Sequence, residues 1–211
     1  RGWELLPVVG YLLVRGRCRT CGQAIGKRSP LVELATGLLF VLAFWLGETA
    51  VWQDWLALAL TSVFLSIFVL VTLTDLEHGL ILNKVIWPGI WLAAAATLLK
   101  GWPAMSWHWL AGGIGAGLII LIIKLVPGGM GWGDVRLTGF IGLVTGLPGL
   151  WFALFVGFVL GGLVAAVLLA TGQVKRGDTL PLGPFLALGG TAVLLFGPQL
   201  VDGFYALARL I

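Results

Sequence analysis

The sequence predicts an all-α fold, a polytopic transmembrane helical bundle of about seven spans with an N-terminal cytoplasmic polar segment. Of its 211 residues, 59% are hydrophobic and only 10% are charged, whereas a soluble domain carries about 25% charged residues. Its mean hydropathy is +1.04. Apolar runs of about 20 residues recur along the chain, and each is long enough to cross a hydrocarbon core. These runs lack the alternation that is typical of a transmembrane β-barrel.

The chain divides into a polar segment, residues 1–30, and a membrane-embedded region, residues 31–211. Ser29 can cap the first span, and Pro30 is tolerated in its first turn. A Gly-Leu-Pro-Gly turn at 146–149 separates the fifth span from the sixth. Small residues at 112–117 and at 157–162 predict close helix packing. The predicted spans are 31–46, 55–73, 85–99, 107–126, 135–147, 150–170 and 183–201.

Basic residues predict the orientation. Spans in this order place most of the basic residues on one side of the membrane, while the other side holds little besides Lys100, with Glu48 and Asp54. The positive-inside rule makes the basic side cytoplasmic, and attraction to anionic membrane lipids adds to this preference. No pattern predicts nucleic-acid binding. The basic side carries Arg1, Arg15, Arg17, Arg19, Lys27, Arg28, Lys84, Lys124, Arg136, Lys175 and Arg176.

Two aspartates stand apart from the other acidic residues. Asp75 ends a long apolar run and Asp134 begins a short one, although a carboxylate within a span costs roughly 2.5–3.5 kcal/mol. Both are predicted at cytoplasmic helix ends at a similar depth, where they could share one proton and act as general acid and base. Purely structural alternatives are a helix cap for Asp134 and an interfacial loop position for Asp75.

Glycines surround Asp134 in the stretch GGMGWGD. Glycine permits turns with positive φ and leaves room for another backbone to approach. Gly131 and Gly133, with Gly128 and Gly129 before them, are therefore the motif neighbours of Asp134 that could admit a substrate backbone, whereas the sequence does not identify the residues that bind the substrate.

Four stretches in order resemble the type IV prepilin peptidases, which are bacterial membrane aspartic proteases. Residues 129–134 look like their GxGD signature, and residues 74–89, TDLEHGLILNKVIWPG, look like their first catalytic-aspartate segment. Residues 15–40 resemble the cysteine-bearing loop with the helix after it, and residues 180–190 resemble a late Pro-Phe-Gly-Pro stretch. Arg136 stands where the family usually has lysine.

The resemblance implies an aspartic endopeptidase in the bacterial cytoplasmic (inner) membrane. Such enzymes cut the short basic leader of prepilins and pseudopilins after a glycine, at the cytoplasmic face. Asp75 and Asp134 match the two catalytic aspartates, and proteolysis of this kind needs no cofactor. Many members also N-methylate the new N-terminus with S-adenosylmethionine as donor. Residues 31–211 would then be the peptidase domain.

Cys18 and Cys21 form a Cys-x-x-Cys pair, which is half of a tetrahedral zinc site. By resemblance, the other two ligands would lie upstream of Arg1, so that residues 1–30 are expected to be incomplete at their start. His78 and His108 are predicted on opposite sides of the membrane and therefore do not complete this site. His78 is predicted to be an exposed loop residue, with tuning of nearby Asp75 as the alternative.

Two other function classes stay open from the residues alone. A transporter or proton channel could use the two aspartates as a relay, although transporter sites usually lie near the midplane in repeated halves. A structural scaffold would need neither aspartate.

Overall fold

The computed structural model describes residues 6–46, 55–126, 130–175 and 180–208. Within these ranges the chain forms seven helices and no strand, apart from one isolated bridge between Arg17 and Ala24. The predicted all-α fold is thus confirmed. The helices are α1 (Val9–Leu13), α2 (Arg28–Leu46), α3 (Trp55–His78), α4 (Asn83–Leu98), α5 (Ala104–Leu125), α6 (Trp132–Ala170) and α7 (Gly183–Ala208).

Four of the described helices, α2, α3, α5 and α6, are long and apolar enough to cross a membrane. Helix α6 has 39 residues and contains the predicted fifth and sixth spans. The predicted spans otherwise correspond one to one with α2, α3, α4, α5 and α7.

Helix α6 reverses direction at Gly146, where φ is 73° and ψ is −178°. A Cβ atom on Gly115 of α5 would lie 2.9 Å from the Thr138 carbonyl oxygen and 3.2 Å from the Leu150 Cδ1 atom. In one straight helix Thr138 and Leu150 would be about 18 Å apart along the axis. The two halves of α6 therefore fold back on each other, which confirms the turn predicted at 146–149.

His108 braces this reversal from α5. Its Nε2 atom lies 3.0 Å from the Lys100 ammonium, and its Nδ1 atom lies 2.8 Å from the Leu143 carbonyl oxygen. A charged ammonium can only donate, so Nε2 accepts and Nδ1–H donates to Leu143. The backbone is not helical at Gly146, and the imidazole donates to a carbonyl three residues before this break.

Glycine contacts hold the helices close together, as the small residues predicted. A Cβ atom on Gly142 would lie 2.5 Å from the Ala111 carbonyl of α5, and one on Gly189 of α7 would overlap the Ala153 carbonyl oxygen. Gly112, Gly115, Gly157 and Gly161 make similar approaches, whereas Gly113, Gly117 and Gly162 face open space. The packing prediction is therefore confirmed for only part of each glycine-rich run.

Successive helices alternate in direction, and both aspartates come to one end of the bundle. The start of α2 is tied to the end of α3 by the Arg28–Glu77 ion pair of 2.6 Å. The start of α7 adjoins the same end of α3, because Gly183 packs against Asp75. We call this the aspartate end, and the opposite end, which carries Lys100 and Gly146, the far end.

Five basic residues at the ends of the long helices follow the predicted division between the two ends. Arg28, Lys84, Lys124 and Arg136 belong to helix starts or ends at the aspartate end, and Lys100 lies at the far end. Arg1, Glu48, Asp54 and Arg176 are outside the described residues.

Candidate active site

Asp75 lies in the last turn of α3, where its side chain is buried with 6% of its surface exposed. The predicted span ended at residue 73, but the helix continues to His78. Gly183, at the start of α7, packs directly on the carboxylate: a Cβ atom there would lie 2.5 Å from Oδ2 and 3.0 Å from Cγ of Asp75. Only glycine lets the α7 backbone approach this carboxylate so closely.

Asp134 is half-buried in the first turn of α6, as its predicted position at a helix start requires. Its Oδ2 atom accepts the Gly131 backbone N–H at 3.0 Å, and its own N–H donates to the Gly131 carbonyl at 3.1 Å. The carboxylate therefore caps the helix, which is the structural role that the sequence offered for Asp134 as an alternative to catalysis. The partial positive charge of a helix N-terminus also favours a carboxylate at this position.

The two aspartates line the same cavity of about 630 Å³. Its walls come from the loop after α3, the start of α6 and the segment before α7, which are distant in sequence. A cavity of this size lies within the range of ligand sites. It opens at the aspartate end, and its lining includes Asp75, Asp134, Gly131, Gly133, Asn83, Arg136, Ile81 and Pro181.

The prediction that the glycines before Asp134 form a turn with positive φ is wrong for Gly131 and Gly133. Gly131 has φ −97°, and Gly133 is already helical. Space explains Gly133 instead, because a Cβ atom there would lie 3.0 Å from Cβ of Ile81. A Cβ atom on Gly131 would have no neighbouring atom nearer than 3.8 Å. The missing side chain therefore leaves open space in the cavity. Gly128 and Gly129 lie outside the described residues.

Arg136 is a third charged group in the cavity lining. Its guanidinium donates to the Asn83 side-chain oxygen at the start of α4, and its Cζ lies 6.0 Å from the centre of the Trp87 ring. Sequence analysis noted Arg136 only as one of the basic residues and as a departure from the family lysine. It did not single out Asn83 or Gly183. Their proximity to the aspartates depends on helix packing, although Gly183 lies in the stretch 180–190 that resembled the family.

The Cys18–Cys21 pair lies in a tight hairpin before α2. The Cys18 N–H donates to the Gln23 carbonyl oxygen at 2.8 Å, and the Ile25 N–H donates to the Gly16 carbonyl oxygen at 2.7 Å. Hydrogen bonds from the backbone of Cys21 and then Thr20 lower the pKa of the Cys18 thiol. Among the described residues, no group of three or more metal-ligating side chains forms.

The two histidines are at opposite ends of the bundle, as predicted. His78 is exposed at the end of α3, near the aspartates, although it belongs to the helix and not to the following loop. His108 lies at the far end beside Lys100.

Comparison with known proteins places the chain in a family. Residues 62–166 match the family model "Type IV leader peptidase family", and residues 1–46 match "Bacterial Peptidase A24 N-terminal domain". No solved structure gives a significant match.

Three curated relatives are named prepilin leader peptidase/N-methyltransferase. The relative from Stutzerimonas stutzeri is 31% identical over 100% of this chain and 73% of its own length. The relative from Pseudomonas putida is 34% identical over 95% of this chain and 69% of its own length. The relative from Bacillus subtilis is 32% identical over 97% of this chain and 81% of its own length. With these similarities running through both aspartate segments, the chain belongs to the type IV leader peptidase family of bacterial membrane proteins.

Proposed function

We propose that this protein is a membrane aspartic endopeptidase that removes the short basic leader of prepilins or pseudopilins, with Asp75 and Asp134 as its catalytic pair. The observation that carries the assignment is the shared cavity, because two carboxylates from separate helices line it at one end of the bundle. Prepilin cleavage agrees with the names of the relatives.

The pair would cleave the peptide bond by general acid–base catalysis. One carboxylate takes a proton from a water molecule as the water attacks the scissile carbonyl, and the other carboxylic acid gives a proton to the carbonyl oxygen. Both carboxylates accept a backbone N–H, Asp134 from Gly131 and Asp75 from Gly183. Asp134 also lies at the N-terminus of α6, which favours its ionised form, so we assign Asp134 as the base and Asp75 as the acid in the first step. Because Gly131 has no side chain, there is room beside it for the substrate backbone.

The active site faces the cytoplasm in this proposal. The described basic residues Arg28, Lys84, Lys124 and Arg136 all lie at helix ends on the aspartate end, and such residues favour the cytoplasmic side. A basic leader would approach through a cavity that contains two carboxylates. The surrounding bilayer lipids and the prepilin are then the partners, and no feature supports a nucleic acid.

Methyl transfer and zinc are further parts of the proposal. The relatives' names include N-methyltransferase, which implies S-adenosylmethionine as methyl donor. Cys18 and Cys21 share one hairpin and the pKa of Cys18 is lowered, as suits a thiolate ligand, so the pair would hold zinc with two ligands from elsewhere. Neither cysteine lines the aspartate cavity. Metal analysis of the wild type and of Cys18→Ser/Cys21→Ser, with leader cleavage as a separate readout, tests this division.

Replacement of each aspartate tests the catalytic assignment. We expect Asp75→Asn and Asp134→Asn each to lower the rate of leader cleavage by at least roughly 10²–10⁴-fold, the usual contribution of acid–base groups. Glu77→Gln is the matched control, since Glu77 is an acidic residue two positions after Asp75 whose described side-chain partner is Arg28, in an ion pair at the surface. Purified protein is incubated with a prepilin in detergent, and the shortened product is quantified.

Thermal unfolding of each variant shows whether it is folded. A folded asparagine variant that cleaves at the wild-type rate would refute the catalytic pair. A relay protein or a scaffold would yield no shortened product even as the wild type, so the same assay separates the other two function classes.

A further inference from the structure

A second cavity of about 370 Å³ lies near the far end, among α3, α4, α6 and α7. Its walls are mainly apolar and include Leu60, Phe64, Val144 and Leu194. It is remote from both aspartates, because it borders the start of α3 and the end of α4. We call it the far-end cavity.

The few polar groups in its lining suit an apolar occupant. Thr97 is one of two threonines there, and its hydroxyl is already used: it donates to the Ala94 carbonyl at 2.6 Å and accepts the Trp109 indole N–H at 2.9 Å. A polar ligand placed deep in the cavity would lose its hydrogen bonds to water without replacement. The mainly apolar walls favour contact with an apolar molecule over contact with water.

Among the described residues of the lining, Lys100 is the only charged one. Its described partner is the neutral Nε2 atom of His108 at 3.0 Å, and no carboxylate within the described ranges pairs with it. The side chain is exposed overall, but packing around the ammonium disfavours its charge and lowers the pKa of Lys100. An anion at this point would compensate that cost.

We propose that the far-end cavity binds one acyl chain of an anionic phospholipid whose headgroup contacts Lys100. The cavity between membrane spans suits the apolar acyl chain of such a lipid. Lys100, in the far-end connector (residues 99–103, between α4 and α5), suits its anionic headgroup. His108 orients the ammonium, and because its other nitrogen holds the Leu143 carbonyl, the bound lipid would also brace the α6 reversal.

Native mass spectrometry of delipidated protein in detergent tests this site. The protein is titrated with phosphatidylglycerol and with phosphatidylcholine of the same chains. We expect the wild type to bind phosphatidylglycerol more tightly, and Lys100→Gln to lose about fivefold of that preference, the usual effect of one basic residue at an anionic surface. Lys100→Arg keeps the charge and should keep the preference. Lys124→Gln is the matched control, because Lys124 is exposed at the aspartate end of α5.

Ala96→Leu tests the cavity independently of Lys100, since its larger side chain would occupy the space of the acyl chain. We expect it to weaken the binding of both lipids, and inorganic phosphate alone not to compete. Any of three results would overturn the proposal: equal affinity of the wild type for the two lipids, a full preference kept by folded Lys100→Gln, or unchanged phosphatidylglycerol binding by Ala96→Leu. Leader cleavage is not part of this readout, so the proposal fails or stands separately from the peptidase assignment.

Discussion

Three positions near the aspartates are occupied by glycine for different physical reasons. Gly183 makes room for the Asp75 carboxylate, Gly133 makes room for Ile81, and Gly131 leaves its side of the cavity open. None of these needs positive φ, because Gly131 has φ −97° and the described glycines with positive φ lie elsewhere. The sequence alone indicates that the site needs glycine, but the reason depends on which atom of another helix stands opposite.

Gly183→Ala should impair cleavage by displacing the Asp75 carboxylate. The added methyl would lie 2.5 Å from Oδ2, so either the carboxylate or α7 must move. A misplacement of about 1 Å in an active site can lower the rate roughly 10²-fold. The measurement is the rate of leader cleavage together with the thermal midpoint. Gly162→Ala, which would face open space, should behave as the wild type. Wild-type kinetics for Gly183→Ala would show that Asp75 does not need its present position.

The protonation of the pair gives a second prediction at this scale. Two carboxylates that share one proton titrate in two macroscopic steps. The rate of leader cleavage should therefore rise as the first proton leaves the doubly protonated pair, and fall as the shared proton is lost. The pH dependence is measured under substrate-limiting conditions, with folding checked at each pH. A rate that rises in acid and then stays flat to strongly alkaline pH would mean that both aspartates act ionised, and would exclude the shared proton.

At the scale of the elements, the α6 reversal is the feature that the sequence indicated most directly. A Gly-Leu-Pro-Gly stretch between two apolar runs is a local signal, and local turn chemistry decides the structure there. The brace from His108 was not predictable, since His108 and Leu143 meet only because α5 packs on α6. The extension of α3 beyond residue 73 was also missed, because Asp75 is polar yet is buried by α7.

Gly146→Ala should destabilise the bundle. The residue has φ 73°, which costs an L-residue roughly 1–3 kcal/mol. The new Cβ atom would also stand 3.2 Å from Cε1 of His108, tighter than an ordinary contact. We expect a lower thermal midpoint in detergent. Gly139→Ala is the matched control on the same helix, because its Cβ would make an ordinary 3.5 Å contact with Ala116. Equal midpoints for the two variants would argue against strain at the reversal.

At the scale of the whole molecule, one arrangement of the helices explains the positions of the two cavities, of the aspartate pair and of the basic residues. Helices that alternate in direction bring residues from the end of α3, the start of α6 and the start of α7 to one place. The sequence predicted this meeting of Asp75 and Asp134 from helix direction and similar depth alone. It could not predict which neighbours complete the site, since the hydropathy pattern fixes which residues are in the membrane but not which helices touch.

The same arrangement predicts which end faces the cytoplasm. His78 is exposed at the aspartate end, and Trp102 is 79% exposed in the far-end connector. In a Cys18→Ser/Cys21→Ser background, His78→Cys and Trp102→Cys each supply a single thiol for a membrane-impermeant reagent. Because the basic residues of the aspartate end favour the cytoplasm, we expect Trp102→Cys to react in spheroplasts with intact membranes, and His78→Cys to react only after permeabilisation. Both variants should react fully in detergent, which controls for local accessibility. The reverse pattern in intact membranes would put the aspartate cavity outside the cytoplasm, where a leader that has not crossed the membrane could not reach it.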